Sequence, residues 1–239
     1  MNDTSLKIGT WLSIGSPVIA ELAALAGFDW VLFDLEHGCE SEAALPNQLL
    51  ALRGTSTRSI VRVGAPYPDL IARVLDWGAD GIMVPHVESA DVAEAIVSAA
   101  TYPPRGRRGY SRTVRAYDYG LRLPEADPLI MVQIETVEGI RHVTKIAGVE
   151  GVKVLFVGPA DLRFSLEHTP ETSIDEYGQC LEKVVSAARS AGKASGILIR
   201  EGAELKTHAD LGFTYIAIDS DLAILRKAYQ QIPRSIASS

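Results

Sequence analysis

The chain has 239 residues, of which 47% are apolar and 22% are charged, a composition typical of a globular protein large enough for one sizeable core. Its formal net charge of −7 disfavours general affinity for nucleic acids, because binding to phosphates requires clustered positive charge. No apolar run approaches the ~20 residues of a membrane span, and the start MNDTSLKIGTW lacks the features of a secretory signal, so we expect a cytoplasmic protein with no membrane partner and a small-molecule substrate.

Short runs of β-branched and apolar residues alternate with helix-like segments along almost the whole chain. Eight runs are predicted as strands: 10–15, 30–34, 59–63, 81–85, 129–135, 152–157, 194–199 and 215–219. The intervening segments, such as PVIAELAALA and YGQCLEKVVSAARSAG, carry apolar residues at helical spacing, and several end on a glycine suited to a left-handed cap. This alternation predicts a parallel sheet covered by helices.

The number of strand-and-helix units favours a closed barrel. The phrases AGFDWVLFD, WGADGIMVP and LGFTYIAID each place a glycine at a helix end and then a strand, so each represents one repeated unit. No G-x-G-x-x-G follows the first strand, which disfavours a doubly wound dinucleotide-binding sheet. We therefore predict an α/β fold, a single-domain parallel (β/α)₈ or TIM barrel over residues 1–239.

One segment, residues 102–128, interrupts this alternation. It contains YPPRGRRGYSRTVRAYDYG and lacks clear periodicity. Long irregular segments in compact domains are usually functional or form interfaces, so this excursion is a candidate lid or subunit contact. A solvated arginine-rich surface run is the alternative.

In a parallel barrel the active site lies where strands end and loops leave, so polar residues at the ends of the predicted strands are the candidates for chemistry. Four neighbouring units carry them: Asp34-Leu35-Glu36-His37-Gly38, Arg62, Gln133-Ile134-Glu135 and Gly158-Pro159-Ala160-Asp161. We expect these groups to converge on one mouth.

Glu135 and Asp161 are the candidate metal ligands, because two carboxylates without cysteines or paired histidines form a hard oxygen site suited to Mg²⁺ or Mn²⁺. Glu135 could instead cap the helix that begins near Thr136, and Asp161 could complete a helix amino terminus. The turn Gly158–Asp161 has a proline in the first helical turn, so its free backbone N–H groups suit a substrate carboxylate, although an ordinary strand-to-helix turn is the alternative.

His37 follows Asp34 by three residues, a spacing that lets a carboxylate hold an imidazole and set its tautomer for general acid–base chemistry. A structural role for this histidine is the alternative. Glu36 is either a residue that orients water at the metal or a solvated loop charge.

Arg62 lies in the apolar run SIVRVG, where a permanent charge must meet an anion. It either stabilises developing negative charge on a substrate oxygen or pairs with a buried carboxylate. Gln133 shares the strand parity of Glu135 and either binds substrate or fills a polar layer of the interior. Lys7, Lys153 and Lys193 fall at or before strand starts, and the other lysines belong to helical segments, which disfavours a Schiff-base aldolase.

The motifs FDLEHG, SIVRV, GIMVPHVESADVAEAIVSAATYPPRGRRG, VQIET, VLFVGPADL and GILI occur in this order and together resemble the HpcH/HpaI family of metal-dependent (class II) pyruvate aldolases, of the phosphoenolpyruvate/pyruvate barrel superfamily. The resemblance covers nearly the whole chain. It implies reversible cleavage of 4-hydroxy-2-oxo acids, such as 4-hydroxy-2-oxoheptanedioate or a 2-keto-3-deoxy sugar acid, to pyruvate and an aldehyde through a metal-bound pyruvate enolate.

The resemblance also implies the roles of individual residues. Glu135 and Asp161 would bind the divalent ion, for which Co²⁺ and Zn²⁺ are further candidates, and backbone N–H groups around Ala160 would receive the pyruvate carboxylate. Arg62 would stabilise the enolate, and His37 with Asp34 would transfer protons.

For the aldehyde pocket the resemblance implicates Trp11 and Leu198, which could also be simple packing residues. It further implies a homo-oligomer, a hexamer built as a trimer of dimers with exchanged carboxy-terminal helices. A coenzyme A thioester lyase of the same superfamily and a non-catalytic barrel subunit are the alternative functions.

Overall fold

The computed structural model of the protein describes residues 5–39, 41–123, 127–169 and 176–237. Eight strands in this part of the chain form a closed, all-parallel barrel in sequence order, closed by pairing of the first strand with the last. They are β1 (Lys7–Leu12), β2 (Trp30–Asp34), β3 (Arg58–Arg62), β4 (Gly81–Val84), β5 (Leu129–Ile134), β6 (Val154–Val157), β7 (Ala194–Ile199) and β8 (Tyr215–Ser220). The predicted (β/α)₈ barrel is confirmed.

Helices follow the strands and cover the outside of the barrel. They are α1 (Pro17–Leu25), α2 (Leu45–Ala51), α3 (Pro68–Asp76), α4 (Ala90–Ala100), α5 (Val137–Gly148), α6 (Pro159–His168), α7 (Tyr177–Ser190), α8 (Leu205–Leu211) and α9 (Asp221–Ala237). Left-handed glycines follow several of them, for example Gly78 at φ +92° and Gly212 at φ +119°. Among the described helices, none has the length and apolar character needed to cross a membrane.

Alternation along each strand separates two layers of packing. In β2, Val31 and Phe33 pack outward against the helices, whereas Trp30 and Leu32 point into the barrel. The interior is filled by large rings, because Trp30 packs against Trp11 and Phe156 at centroid distances of 6.3 and 6.1 Å. The barrel is therefore a packed core, and a site has room only at its ends.

The first strand differs from its predicted bounds of 10–15, since it runs from Lys7 to Leu12. The backbone N–H groups of Ser13 and Ile14 donate to the carboxylate of Asp221, at 2.9 and 3.1 Å, and do not pair with a strand. Gly15 then turns the chain at φ +82°. This side-chain competitor lies more than 200 residues away in the sequence, so the local pattern could not reveal it.

The excursion predicted at 102–128 connects α4 to β5, and residues 124–126 of it lie outside the described residues. It contains a short 3₁₀ turn, Arg115–Gly120, and the rest of its described residues form no helix or strand. Arg115 donates to the carbonyls of Trp77 and Leu49, at 2.6 and 2.9 Å, which fastens the segment to the ends of α3 and α2.

A connection from a helix to the next strand lies at the amino-terminal end of a parallel barrel, away from the strand ends that carry the candidate site. The excursion therefore does not close the mouth of its own barrel. Its role as a subunit contact stays a prediction.

Candidate active site

The carboxy-terminal ends of β2, β3, β5 and β6 bring most of the predicted residues into one connected group. Arg62 at the end of β3 contacts both Asp34 at the end of β2 and Gln133 on β5. Gln133 in turn donates to Glu135 at 2.8 Å. The convergence predicted from the strand pattern is thus present in the structure.

Arg62 and Asp34 form a buried, two-pronged ion pair. Arg62 Nε lies 2.9 Å from Asp34 Oδ1, and Nη2 lies 2.7 Å from Oδ2. Arg62 Nη1 also lies 2.8 Å from Glu36 Oε2 and forms an ion pair with it. The angle at this contact does not meet the geometry of a hydrogen bond. Glu36 is therefore a largely shielded partner of the guanidinium, with its side chain 10% exposed, and its interpretation as a solvated loop charge is wrong.

These contacts hold the guanidinium in its charged form. Burial alone would lower the pKa of Arg62, but the hydrogen bond to Asp34 and the charges of Asp34, Glu36 and Glu135 raise it overall. The guanidinium also lies over the ring of Trp11, with its central carbon 5.5 Å from the ring centroid. Arg62 is thus a fixed cation beneath the mouth, in a place from which most water is excluded.

Glu135 is a buried carboxylate held by two donors. The backbone N–H of His86 donates to Oε1 at 2.7 Å, and Gln133 Nε2 donates to Oε2 at 2.8 Å. The amino-terminal cap of α5 is Thr136, whose hydroxyl accepts from the N–H of Gly139 at 3.0 Å. Glu135 is therefore not the helix cap.

The site carries a surplus of negative charge. Burial raises the pKa of Glu135, and the charges of Asp161 and Glu36 raise it further, while the contacts with His86 act in the opposite direction. Together with Asp34, four carboxylates stand against one buried guanidinium. A hard divalent cation fits this donor set, because it would offset the charge and take oxygen ligands.

Asp161 lies in the first turn of α6 and is exposed. Its carboxylate makes no hydrogen bond or ion pair with any described side chain or backbone group, so it does not cap the helix. Among the described residues, no group of three or more His, Cys, Asp or Glu is arranged to hold a metal ion. A cation held here would therefore have two protein carboxylates, Glu135 and Asp161, and its remaining ligands would come from solvent or substrate.

Gly158 sets the distance between β6 and Glu135. A methyl group built on Gly158 would overlap the carboxylate of Glu135 and come within 3.1 Å of Gln133 Nε2. Gly158 also directly precedes α6, so the first helical turn, whose N–H groups at Ala160 and Asp161 have no partner within the helix, begins next to the glycine that contacts this carboxylate. The glycine therefore brings the helix amino terminus close to the candidate metal ligand.

His37 lies at the rim of the site. Its side chain is 68% exposed, and Nε2 is 3.7 Å from Glu36 Oε1. The expectation that the Asp34 carboxylate holds its imidazole is not met, because Asp34 Oδ1 accepts from the backbone N–H of His37 at 3.2 Å and both carboxylate oxygens are engaged by Arg62. Glu36 is the carboxylate nearest to the imidazole.

His86, which follows β4, is a site residue that the sequence reasoning missed. Its Nδ1 lies 3.4 Å from Glu135 Oε1 and its Nε2 lies 3.7 Å from Glu36 Oε1. The backbone takes the left-handed conformation, at φ +52°, which turns its N–H toward Glu135. The available signal was a histidine directly after the predicted strand 81–85, inside the motif GIMVPHV.

The two residues implicated in an aldehyde pocket border the packed interior. Trp11 is buried and its ring lies 5.5 Å from that of Phe156. Leu198 is partly buried and packs against the same interior cluster. Packing therefore accounts for both residues, and their role toward an aldehyde stays a prediction.

Comparisons with known proteins agree with this arrangement. A family model described as HpcH/HpaI aldolase/citrate lyase matches residues 7–228. The 5-keto-4-deoxy-D-glucarate aldolase of Klebsiella pneumoniae is 37% identical over 95% of this chain and 91% of its own. The hydroxypyruvate/pyruvate aldolase of Paraburkholderia phytofirmans is 38% identical over 100% of this chain and 96% of its own.

Solved structures show the same likeness. A crystal structure of an HpcH/HpaI aldolase/citrate lyase family protein from Burkholderia cenocepacia superposes with a TM-score of 0.91 and 33% identity, covering 99% of this chain and 96% of the other. An HpcH/HpaI aldolase from Desulfitobacterium hafniense superposes with a TM-score of 0.88 and 26% identity, covering 98% and 93%. The likeness extends over the whole barrel in both cases.

Proposed function

Because the chain belongs to the HpcH/HpaI aldolase/citrate lyase family, we propose that it is a divalent-metal-dependent aldolase that cleaves 4-hydroxy-2-oxo acids to pyruvate and an aldehyde and catalyses the reverse addition. The observation that carries the proposal is the pair of carboxylates, buried Glu135 and exposed Asp161, beside the fixed guanidinium of Arg62. The two aldolases at 37% and 38% identity support a 2-keto-3-deoxy sugar acid or a related hydroxy-oxo acid as the substrate.

The proposed metal ligands are Glu135 and Asp161. A divalent ion bound there, of which Mg²⁺ and Mn²⁺ best match two carboxylates, supplies positive charge beside the oxygens of a 2-oxo acid. Gln133 and the backbone of His86 hold Glu135 in place, so these two residues act on the metal through Glu135.

Substrate positioning falls to the amino terminus of α6 and to Arg62. The first-turn N–H groups at Ala160 and Asp161 are suited to the carboxylate of a 2-oxo acid, because a helix amino terminus favours an anion. The guanidinium of Arg62 is held by Asp34 and Glu36 within electrostatic reach of Glu135, where it stabilises negative charge that develops on an oxygen.

Proton transfer is assigned to the rim of the mouth. His37 is exposed there, with Glu36 as its nearest carboxylate, and it exchanges a proton with the hydroxyl group of the substrate directly or through water. His86 approaches the same Glu36 carboxylate from β4 and is a second group able to carry a proton. Asp34 positions Arg62 and the backbone of His37.

The experiment that tests this function measures pyruvate release from a panel of 4-hydroxy-2-oxo acids, with chelator and after addition of Mg²⁺, Mn²⁺ or Co²⁺. We expect chelation to abolish cleavage and the metal to restore it, and Glu135→Gln and Asp161→Asn to lose metal binding. Full activity in chelator, cleavage of a coenzyme A thioester but no hydroxy-oxo acid, or borohydride trapping of pyruvate on a lysine would contradict the proposal.

We further propose that the enzyme is a homo-oligomer. The helix α9 exposes several large apolar side chains: Leu222, Ile224, Tyr229 and Ile232. Exposed apolar groups concentrated on one element are typical of an interface, and α1 exposes Val18, Leu22 and Leu25 in addition. Light scattering of the dilute protein should show a hexamer or a stable dimer, and a monomer with full activity would contradict the proposal.

A further inference from the structure

A cavity lies at the amino-terminal end of the barrel, opposite the candidate active site. Its volume is about 1290 Å³, and its walls are the starts of β3, β5, β6, β7 and β8 together with part of the excursion. This volume exceeds the ~300–1,000 Å³ of ordinary small-molecule sites, so a ligand of metabolite size fits within it. The function proposed above makes no use of this cavity.

The cavity is cationic in a protein of net charge −7. Its described lining includes seven cationic side chains, Arg53, Arg58, Arg108, Arg115, Arg122, Lys153 and Lys193. The carboxylates of the same lining number four, those of Asp80, Asp118, Asp127 and Glu150. A cavity with this surplus attracts anions, because its concave walls concentrate the field.

Several of the arginines already hold the excursion to the barrel. Arg108 pairs with Asp76 at 2.6 Å, and Arg53 pairs with Asp118 at 3.1 Å. Arg115 donates both of its terminal nitrogens to backbone carbonyls. These three arginines therefore have a structural role. Their guanidinium groups, which recognise carboxylates best through two parallel hydrogen bonds, are already bound to groups of the protein.

Lys153 and Lys193 differ from these arginines. They precede β6 and β7, which are neighbouring strands, and neither ammonium forms an ion pair with a carboxylate of the described residues. Lys193 donates to the carbonyl of Val149, which is its one polar contact among the described residues. Burial lowers the pKa of Lys193 to about 8, and the nearby charge of Lys153 lowers it as well, while Glu150 opposes this.

The two ammonium groups lie next to each other at the wall of the cavity and repel each other. One compact anion with two negative charges would neutralise both. Lysine acts toward phosphate as a point charge, and two such charges balance a phosphate dianion, whose charge is shared among several oxygens. We propose that this cavity binds a phosphate group, either as inorganic phosphate or as a phosphate monoester, between Lys153 and Lys193.

Binding of the dianion changes the protonation of Lys193. A negative charge beside the ammonium favours its charged form, so the pKa rises from about 8 toward the ordinary value of 10.5. At a pH just above 8, the complex therefore takes up a proton that the free protein lacks. Proton uptake that is lost in Lys193→Gln assigns the binding to this cavity and not to the mouth of the barrel.

The test is calorimetry of the whole protein in the presence of Mg²⁺, with inorganic phosphate and with glycerol 3-phosphate as separate arms. Each titration is carried out at constant ionic strength, just above pH 8, in two buffers of different ionisation enthalpy. We expect binding with proton uptake, and the tighter of the two ligands identifies free phosphate or an ester as the source. Titration with malonate, a dicarboxylate of similar size, shows whether the cavity prefers a phosphate group to a dianion of another class.

Lys153→Gln and Lys193→Gln should each weaken binding by about tenfold or more, the loss typical of one charged hydrogen bond. Lys145→Gln is the matched control, since it removes the same charge from an exposed position of α5 outside the cavity and should bind as the original protein does. Unchanged binding in both cavity variants, binding without proton uptake, preference for malonate or absence of binding would each overturn the proposal.

Discussion

Replacement of Gly158 by alanine isolates the contact that brings α6 close to Glu135. The added methyl group would overlap the Glu135 carboxylate, so either this side chain or the strand end must move. Movement of Glu135 breaks its hydrogen bonds from His86 N–H at 2.7 Å and from Gln133 Nε2 at 2.8 Å. We therefore expect Gly158→Ala to perturb the proposed metal site although it adds only one carbon atom.

The size of the effect follows from these two bonds. Hydrogen bonds to a charged group contribute about 1.5–3 kcal/mol each, so loss of one of them while the other re-forms lowers the free energy of unfolding by roughly 2 kcal/mol. Groups that orient a metal ligand typically alter metal affinity about 10- to 100-fold, so we expect a loss of Mn²⁺ affinity in that range. Pyruvate release at saturating metal should recover in part.

The matched control is Gly178→Ala, because a methyl group built at this helical position meets nothing within 4 Å. Urea unfolding measures the stability of both variants, and titration with Mn²⁺ measures the affinity. If Gly158→Ala binds Mn²⁺ and cleaves substrate as well as the control does, the contact between Gly158 and Glu135 does not position the metal ligand.

Three further predictions concern individual charges. Arg62→Lys keeps the positive charge but not the two-pronged contact with Asp34, so it should reduce both aldol cleavage and methyl-proton exchange of pyruvate by about 10²–10³, whereas His37→Ala should retain relatively more exchange. Glu135→Gln should abolish metal-dependent cleavage, and in metal-free buffer its urea midpoint should equal or exceed that of the original protein, because a disfavoured buried charge is removed. The pKa of Lys193 is about 8 in the folded protein and 10.5 when unperturbed, so between these pH values the unfolded chain binds more protons than the folded protein. The free energy of unfolding should therefore rise with pH in this range when it is compared with that of Lys193→Gln. The rise should be less than about 1.4 kcal/mol per pH unit, because the side chain is half exposed. A flat difference across this range would show that the Lys193 ammonium is not disfavoured by folding.

The fold and the convergence of the site were accessible from the sequence because both depend on short-range patterns. Apolar runs with period two and segments with helical spacing identify the repeated units, and a parallel barrel brings all strand ends to one mouth. Arg62, Gln133 and Glu135 follow from this rule together with their strand parity. The family membership implied by the ordered motifs is confirmed by the match over residues 7–228.

What remained hidden depends on contacts between distant parts of the chain. Asp34 and His37 are three residues apart, which suggested a carboxylate–imidazole pair, but Arg62 competes for the same carboxylate with two bonds. The end of β1 depends in the same way on Asp221, whose carboxylate binds the N–H groups that a longer strand would use. Such competition depends on distances in the folded state, which spacing along the chain does not determine.

The placement of charge explains why the two ends of the barrel serve different purposes. Below the mouth, Trp11, Trp30 and Phe156 fill the interior and exclude water, so the charges of Arg62 and Glu135 act on each other through a medium of low polarity. Four carboxylates opposed by one guanidinium are unfavourable for folding by themselves. A bound cation offsets the excess negative charge of these carboxylates, and an anionic substrate then binds to the cation and to Arg62. Because both ligands bind only the folded protein, their binding stabilises the fold that the unliganded charges destabilise.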